Sequence, residues 1–262
     1  MSIHKECIKN RKGEKISVLL ETSVPQKGLA FVMHGLGGFK EQLHIEAMAG
    51  AFKEKGFTVV RFDTTNTLGE SDGTYEKATI TNYHEDLEDV IQWTKGQEWY
   101  QEPFVLTGHS LGGISTALYA EQHPEKVLAL APISPVVSGA LSVQAQKKRD
   151  PEAFAAWERT GWMEEPSSSK PDVMKRLPWS HIQDRLKYDL LPQASQLTMP
   201  VLLIVGENDL ATPPKQIQMF YDALPGPKKF HIIKGAPHTF RDEGHLKELK
   251  TLMLGWIDDM MR

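Results

Sequence analysis

Residues 104–115, FVLTGHSLGGIS, lead from an apolar run into a serine hemmed by glycines, Gly108-His109-Ser110-Leu111-Gly112. A serine hydroxyl is a poor nucleophile unless it stands clear of the chain and meets a base. A sharp turn from strand to helix lifts it clear, and the residues two positions away must then be tiny. Such a nucleophile needs an acid and then a histidine later in the chain, each just beyond the end of a strand. PVLLIVG (200–206) runs into Glu207-Asn208-Asp209, and FHIIKG (230–235) runs into Ala236-Pro237-His238. Ser110, Asp209 and His238 are therefore the candidate catalytic residues. Asp184 and Asp189 follow no strand, and His245 sits inside the last helical stretch, where a solvated position is expected.

Acyl chemistry at a serine also needs two N–H donors aimed at the developing oxyanion. The residue after the nucleophile, Leu111, supplies one. The loop His34-Gly35-Leu36-Gly37-Gly38 follows an earlier apolar run, and the second is assigned to Leu36. His34 is read as a histidine that holds this loop. The glycines are no phosphate cradle, since no GxxxxGK[ST] pattern accompanies them.

These residues need a frame. Strand patterns fall at 6–9, 15–22, 29–35, 58–63, 103–108, 127–134, 200–206 and 230–235. Helical spacing occupies 43–55, 81–97, 111–122, the stretch after Pro213-Pro214, and 243–261. Short, wholly apolar strands separated by helices predict an α/β fold around a parallel sheet buried on both faces. Carboxyl ends of parallel strands share one rim, where the three candidates can converge. The rhythm breaks after Ser134. Residues 135–192 are polar, rich in Pro and Ser, and carry Phe154, Trp157, Trp162, Met163 and Trp179. This block is expected to be a cap inserted into one core domain made of 1–134 and 193–262, with some of its aromatics buried or lining a pocket.

Composition excludes several classes. The chain has 262 residues, 40% hydrophobic and 24% charged, with a net charge of −4. That is an ordinary globular balance without an electrostatic footprint for nucleic acid. No apolar run reaches the length of a membrane span, and the first residues lack the apolar stretch of an export signal. Cys7 has no second thiol to pair with, so a reducing cytoplasm is expected. No HExxH or cysteine cluster offers a metal site, and neither metal nor organic cofactor is called for. The basic residues of the block (Lys147, Lys148, Arg149, Lys175, Arg176) have acids nearby, and a neutral ester of a small-to-medium acyl group is the expected small-molecule partner.

The motifs HGLGG, FDTTNTLGESDG (62–73), GHSLGG, GENDLATPP and GAPHTF resemble those of the α/β-hydrolases, over nearly the whole chain outside 135–192. Within that superfamily the chain is similar to the small carboxylesterases of the cinnamoyl/feruloyl esterase-like group. The resemblance implies an α/β-hydrolase fold with Ser110 as nucleophile, His238 as general base and Asp209 as its orienting acid. It also implies Leu36 with Leu111 as the oxyanion hole, and 135–192 as a cap over the acyl pocket. Thioesterase, lipase-like and aminopeptidase-like activities run on the same machinery, and a ligand-binding member of the fold without turnover is a further reading. The chain departs from the group after Asp63. Where its members usually carry Gly-x-Gly-x-Ser, residues 64–71 keep only Gly69 and Ser71.

Overall fold

The computed structural model describes residues 2–167, 170 and 172–262. Ser168, Ser169 and Pro171, in the serine-rich stretch noted in the sequence, lie outside the described residues. In chain order the strands begin with β1 (Ser2–Lys9), β2 (Lys15–Thr22), β3 (Gly28–Met33), β4 (Phe57–Phe62), β5 (Phe104–His109) and β6 (Val127–Ile133). A two-stranded hairpin follows, β7 (Trp162–Pro166) with β8 (Met174–Pro178), and then β9 (Val201–Gly206) and β10 (Lys228–Ile233). The helices are α1 (Leu43–Glu54), α2 (Ile80–Thr94), α3 (Leu111–Gln122), α4 (Gly139–Arg149), α5 (Pro151–Thr160), α6 (Ser180–Arg185), α7 (Pro214–Ala223) and α8 (Glu243–Met260).

Eight strands make one sheet in the order β1-β2-β4-β3-β5-β6-β9-β10. Only the pairings of β2, with β1 and with β4, are antiparallel; from β4 to β10 every neighbour runs parallel. Side chains of a strand alternate between faces, and the core divides accordingly. Leu29, Phe31 and Met33 of β3 join Leu106 and Leu203 on the face covered by α2, α3 and α7. Ala30 and Val32 join Val105, Leu202 and Ile204 on the face covered by α1 and α8. Both faces are apolar because both are buried, which is why these strands read as unbroken apolar runs.

The expected elements recur with shifts of a few residues at their ends. β1 is the largest difference, starting at Ser2 rather than near residue 6. It is an edge strand with little apolar alternation of its own, and its eight-residue register with β2 defines it. Between β6 and β9 lie α4, α5, the β7–β8 hairpin and α6. Phe154, Trp157, Leu177 and Ile182 from this segment form a small cluster with Tyr75 of the core chain. Trp157 is fully buried and Trp179 half-buried, whereas Trp162 is 39% exposed beneath the Arg176 guanidinium. Among the described residues no helix is long and apolar enough to cross a membrane.

Candidate active site at the carboxyl rim of the sheet

β5 ends at His109 and α3 begins at Leu111, which leaves one residue, Ser110, to turn the chain. Its φ of 55° lies in the left-handed region that non-glycine residues rarely adopt. Hydrogen bonds to β6 and the segment after it hold the turn: Ser110 N–H donates to Ile133 O at 3.0 Å, and Val136 N–H donates to Ser110 O at 3.3 Å. The flanking glycines have separate reasons. A Cβ on Gly108 would lie 2.4 Å from Gly112 O, and one on Gly112 would lie 2.5 Å from His34 O. The first closes the elbow on itself, and the second seats it against the end of β3.

The loops after β9 and β10 bring Asp209 and His238 to this serine. Asp209 is fully buried, and its Oδ2 accepts from His238 Nδ1 at 2.8 Å. With Nδ1 carrying the proton, His238 Nε2 is free to accept from Ser110 Oγ, 3.0 Å away. The Asp209 Oδ1 accepts from the N–H groups of Ala211 and Thr212 at 2.9 and 2.8 Å, and Thr212 Oγ1 lies 2.8 Å from Oδ2. Burial alone would push this carboxyl up. The hydrogen bond and charge of His238, with the donors of Thr212, outweigh it and hold the group below the usual carboxylate range. Asp209 thus stays ionised and keeps the imidazole in one tautomer.

Of the rival acids, Asp184 bonds Thr81 and Asp189 accepts from Ser138 Oγ; neither meets His238. His245, expected in solvent, is half-buried on α8. His34 is fully buried in the role expected of it. Its Nε2 accepts from Thr64 N–H at 3.1 Å, its Nδ1 donates to Gly35 O at 2.8 Å, and burial lowers its pKa.

That last bond bears on Leu36. Gly35 O also accepts from Tyr83 Oη at 3.0 Å and from Gly38 N–H at 2.9 Å. A trans peptide points its N–H opposite to its C=O, so pinning Gly35 O fixes the direction of the Leu36 N–H. Gly35 itself packs against the elbow, where a Cβ would lie 3.0 Å from Ser110 Cβ. Leu111 opens α3, and the N–H groups of a helix's first turn have no acceptor within the helix. Leu36, Leu111, Ser110 and His238 line one cavity of about 230 Å³.

The atypical loop after Asp63 has its own logic. Buried Asp63 accepts from Lys40 N–H and Lys40 Nζ, both at 2.7 Å, and from Glu70 N–H at 2.8 Å. A Cβ on Gly69 would sit 2.3 Å from Asp63 Cγ, which accounts for the glycine that is kept.

Two contributors were missed in the sequence. His109 Nε2 donates to the backbone oxygen of His238 at 2.8 Å, its ring centroid 4.8 Å from that of His238. Burial, then the charge of His238, lowers its pKa to about 3, so it is neutral and a stable donor. Thr212 braces Asp209, and an acid three residues before a threonine is the local signal that could have found it. Among the described residues no group of three or more His, Cys, Asp or Glu is placed to hold a metal ion.

An eight-stranded, mostly parallel sheet flanked by helices, with a serine elbow at the rim, defines the α/β-hydrolase class. Residues 24–244 match the family described as serine aminopeptidase, S33 (Hydrolase_4), and the chain belongs to that family. Among curated proteins it is 27% identical to mouse palmitoyl-protein thioesterase ABHD10, mitochondrial, covering 80% of this chain and 67% of the relative. It is 28% identical to an Escherichia coli 31.7 kDa protein from the traX-finO intergenic region, covering 82% and 85%. Among solved structures, Est1E from Butyrivibrio proteoclasticus with bound ferulic acid superimposes with a TM-score of 0.79 at 20% identity, covering 98% and 99% of the two chains. Mouse α/β hydrolase domain-containing protein 10 gives 0.78 at 21%, covering 98% and 99%.

Proposed function

We propose that this hydrolase cleaves carboxylic esters of small-to-medium acyl groups through an acyl-enzyme on Ser110. The hydrogen-bonded line from Ser110 through His238 to Asp209, at 3.0 and 2.8 Å, carries the reading. Ser110 Oγ attacks the acyl carbonyl as its proton passes to His238 Nε2. The oxyanion is met by the N–H groups of Leu36 and Leu111. His238 then returns the proton to the departing alkoxide, leaving the acyl group on Oγ. Water, deprotonated by the same nitrogen, attacks the acyl-enzyme; the acid leaves and Ser110 recovers its proton. Asp209 steadies the imidazolium formed in each half.

Segment 135–192 acts as a cap, since Arg149, Met163, Lys175, Leu177 and Arg185 from it wall the same cavity. A thioester is the second reading, favoured by the curated relatives named as thioesterases. Cys7, exposed and unpaired, suits a reducing compartment, proposed as the cytoplasm. The test is release of p-nitrophenol from acetate, butyrate and octanoate esters beside release of p-nitrothiophenol from the matching thioesters. Turnover by the wild type, higher on the esters and lost in Ser110→Ala, is expected. Turnover that survives Ser110→Ala removes the acyl-enzyme, and a preference for thioesters moves the assignment to the second reading.

A further inference from the structure

One wall of the cavity beside Ser110 carries charge that hydrolysis of a neutral ester does not use. Arg185, at the end of α6, lines the cavity with 8% of its surface exposed. Its guanidinium meets neutral partners: Nη1 donates to Gln146 Oε1 at 3.0 Å and to Ser142 Oγ at 3.3 Å, and Nη2 donates to His181 Nε2 at 2.8 Å. His181 accepts as a neutral ring, its own Nδ1 donating to Ala78 O. Arg185 Nε is buried without a partner, and no carboxylate pairs with this guanidinium among the described residues. A buried cation without a counter-charge costs more than almost any other arrangement in a folded chain. Burial lowers its pKa to about 10, with Tyr75 opposing the drop and the charge of Arg149 adding a smaller one, and it stays protonated at neutral pH.

The neighbours do not cancel it. Arg149 lines the same cavity and forms no ion pair among the described residues. Lys175 also faces it, and its charge is met by Glu165, the carboxylate in the lining, at 2.5 Å. Tyr75 adds a buried hydroxyl with no hydrogen-bond partner. Two residues of like charge, Arg185 desolvated and Arg149 exposed, therefore line the cavity in front of the serine. In a low-dielectric cavity a monoanion there recovers Coulomb energy that water would otherwise screen away.

We propose that the ester carries a carboxylate in its acyl or alcohol part, held in this cavity by Arg185 and Arg149. The inference rests on the ester-hydrolase reading of the same site, and it replaces the neutral ester expected from the sequence. A carboxylate matches the single buried charge, and the planar guanidinium is the side chain best suited to it.

Phenol release is measured on two pairs, phenyl hydrogen succinate with its methyl ester, and 4-acetoxyphenylacetate with its methyl ester. In at least one pair the carboxylate member is expected to show kcat/KM higher by about tenfold or more, with the ratio shrinking as salt is added. Arg185→Gln and Arg149→Ala should each bring that ratio toward one; Arg149 is exposed, so its variant reports even if Arg185→Gln fails to fold. Carboxylate members no better than their methyl esters in both pairs, with turnover still lost in Ser110→Ala, overturn the anionic substrate and leave ester hydrolysis standing. Absence of Ser110-dependent turnover on all four brings down the ester reading instead. The charge is then decided by binding: 4-hydroxyphenylacetate should raise the wild-type Tm more than its methyl ester does, and equal shifts overturn it.

Discussion

At the scale of single residues, Ser110 Oγ and His238 Nε2 lie 3.0 Å apart, and the proposed mechanism has them share one proton so that neither does chemistry without the other. On the proposed mechanism Ser110→Ala and His238→Ala each lower kcat by several orders of magnitude, and the double variant is scarcely worse than either. A double variant showing the product of the two losses would mean that they act independently. Asp209 works through His238. Asp209→Asn should lose roughly 10²–10⁴ in kcat, because an amide supports the wrong tautomer of the ring. Asp189→Asn should retain near-normal kcat, since Asp189 bonds Ser138 and not the histidine. Steady-state kinetics on one ester settles all five variants.

At the scale of elements, the elbow between β5 and α3 is a junction of three backbones. Ser110 keeps its positive φ because β6 and β3 close on either side of it, and Gly112 is where β3 touches. Gly112→Ala forces β3 or α3 to move and should lower Tm by roughly 5 °C or more, with loss of turnover. Gly50 of α1 is the control. A Cβ there meets nothing nearer than Lys250 Cε at 3.8 Å, so Gly50→Ala should leave Tm unchanged or raise it. Thermal unfolding of the two variants side by side separates a packed glycine from a dispensable one. Equal shifts would remove the steric reading of the elbow.

At the scale of the whole molecule, burial sets a pH dependence far from the site. Glu121, near the end of α3, has Oε1 buried without a partner. Burial, with Asp189 nearby, pushes its carboxyl up from 4.5 to about 8. The folded chain holds that proton to about pH 8, whereas the unfolded chain releases it near 4.5. Stability from this group is therefore complete below pH 4.5, is lost as pH rises toward 8, and is level above that. Glu121→Gln cannot ionise, so its Tm advantage over the wild type should grow between pH 5 and pH 9. A constant difference across that range would show that Glu121 titrates normally.

Much of this was legible in the linear chain, for a definite reason. Apolar runs separated by helical spacing require a sheet buried on both faces, and strand ends in such a sheet share a rim. Ser110, Asp209 and His238 each follow a strand, so order alone brings them near one another. The glycines at 108 and 112 declare a turn that no side chain can enter. β1 was half hidden because an edge strand takes its definition from its partner. His109 and Arg185 could not be read for what they do. His109 sits in full view inside the serine motif, yet its acceptor is a backbone oxygen 129 positions away. Arg185 was not among the basic residues singled out in the polar block, and only the packing of α6 against α4 shows that its guanidinium loses water without gaining an acid. Periodicity is a local property, carried by each stretch of chain on its own. Desolvation and uncompensated charge belong to segments far apart in sequence, and only their packing decides which charges face the cavity.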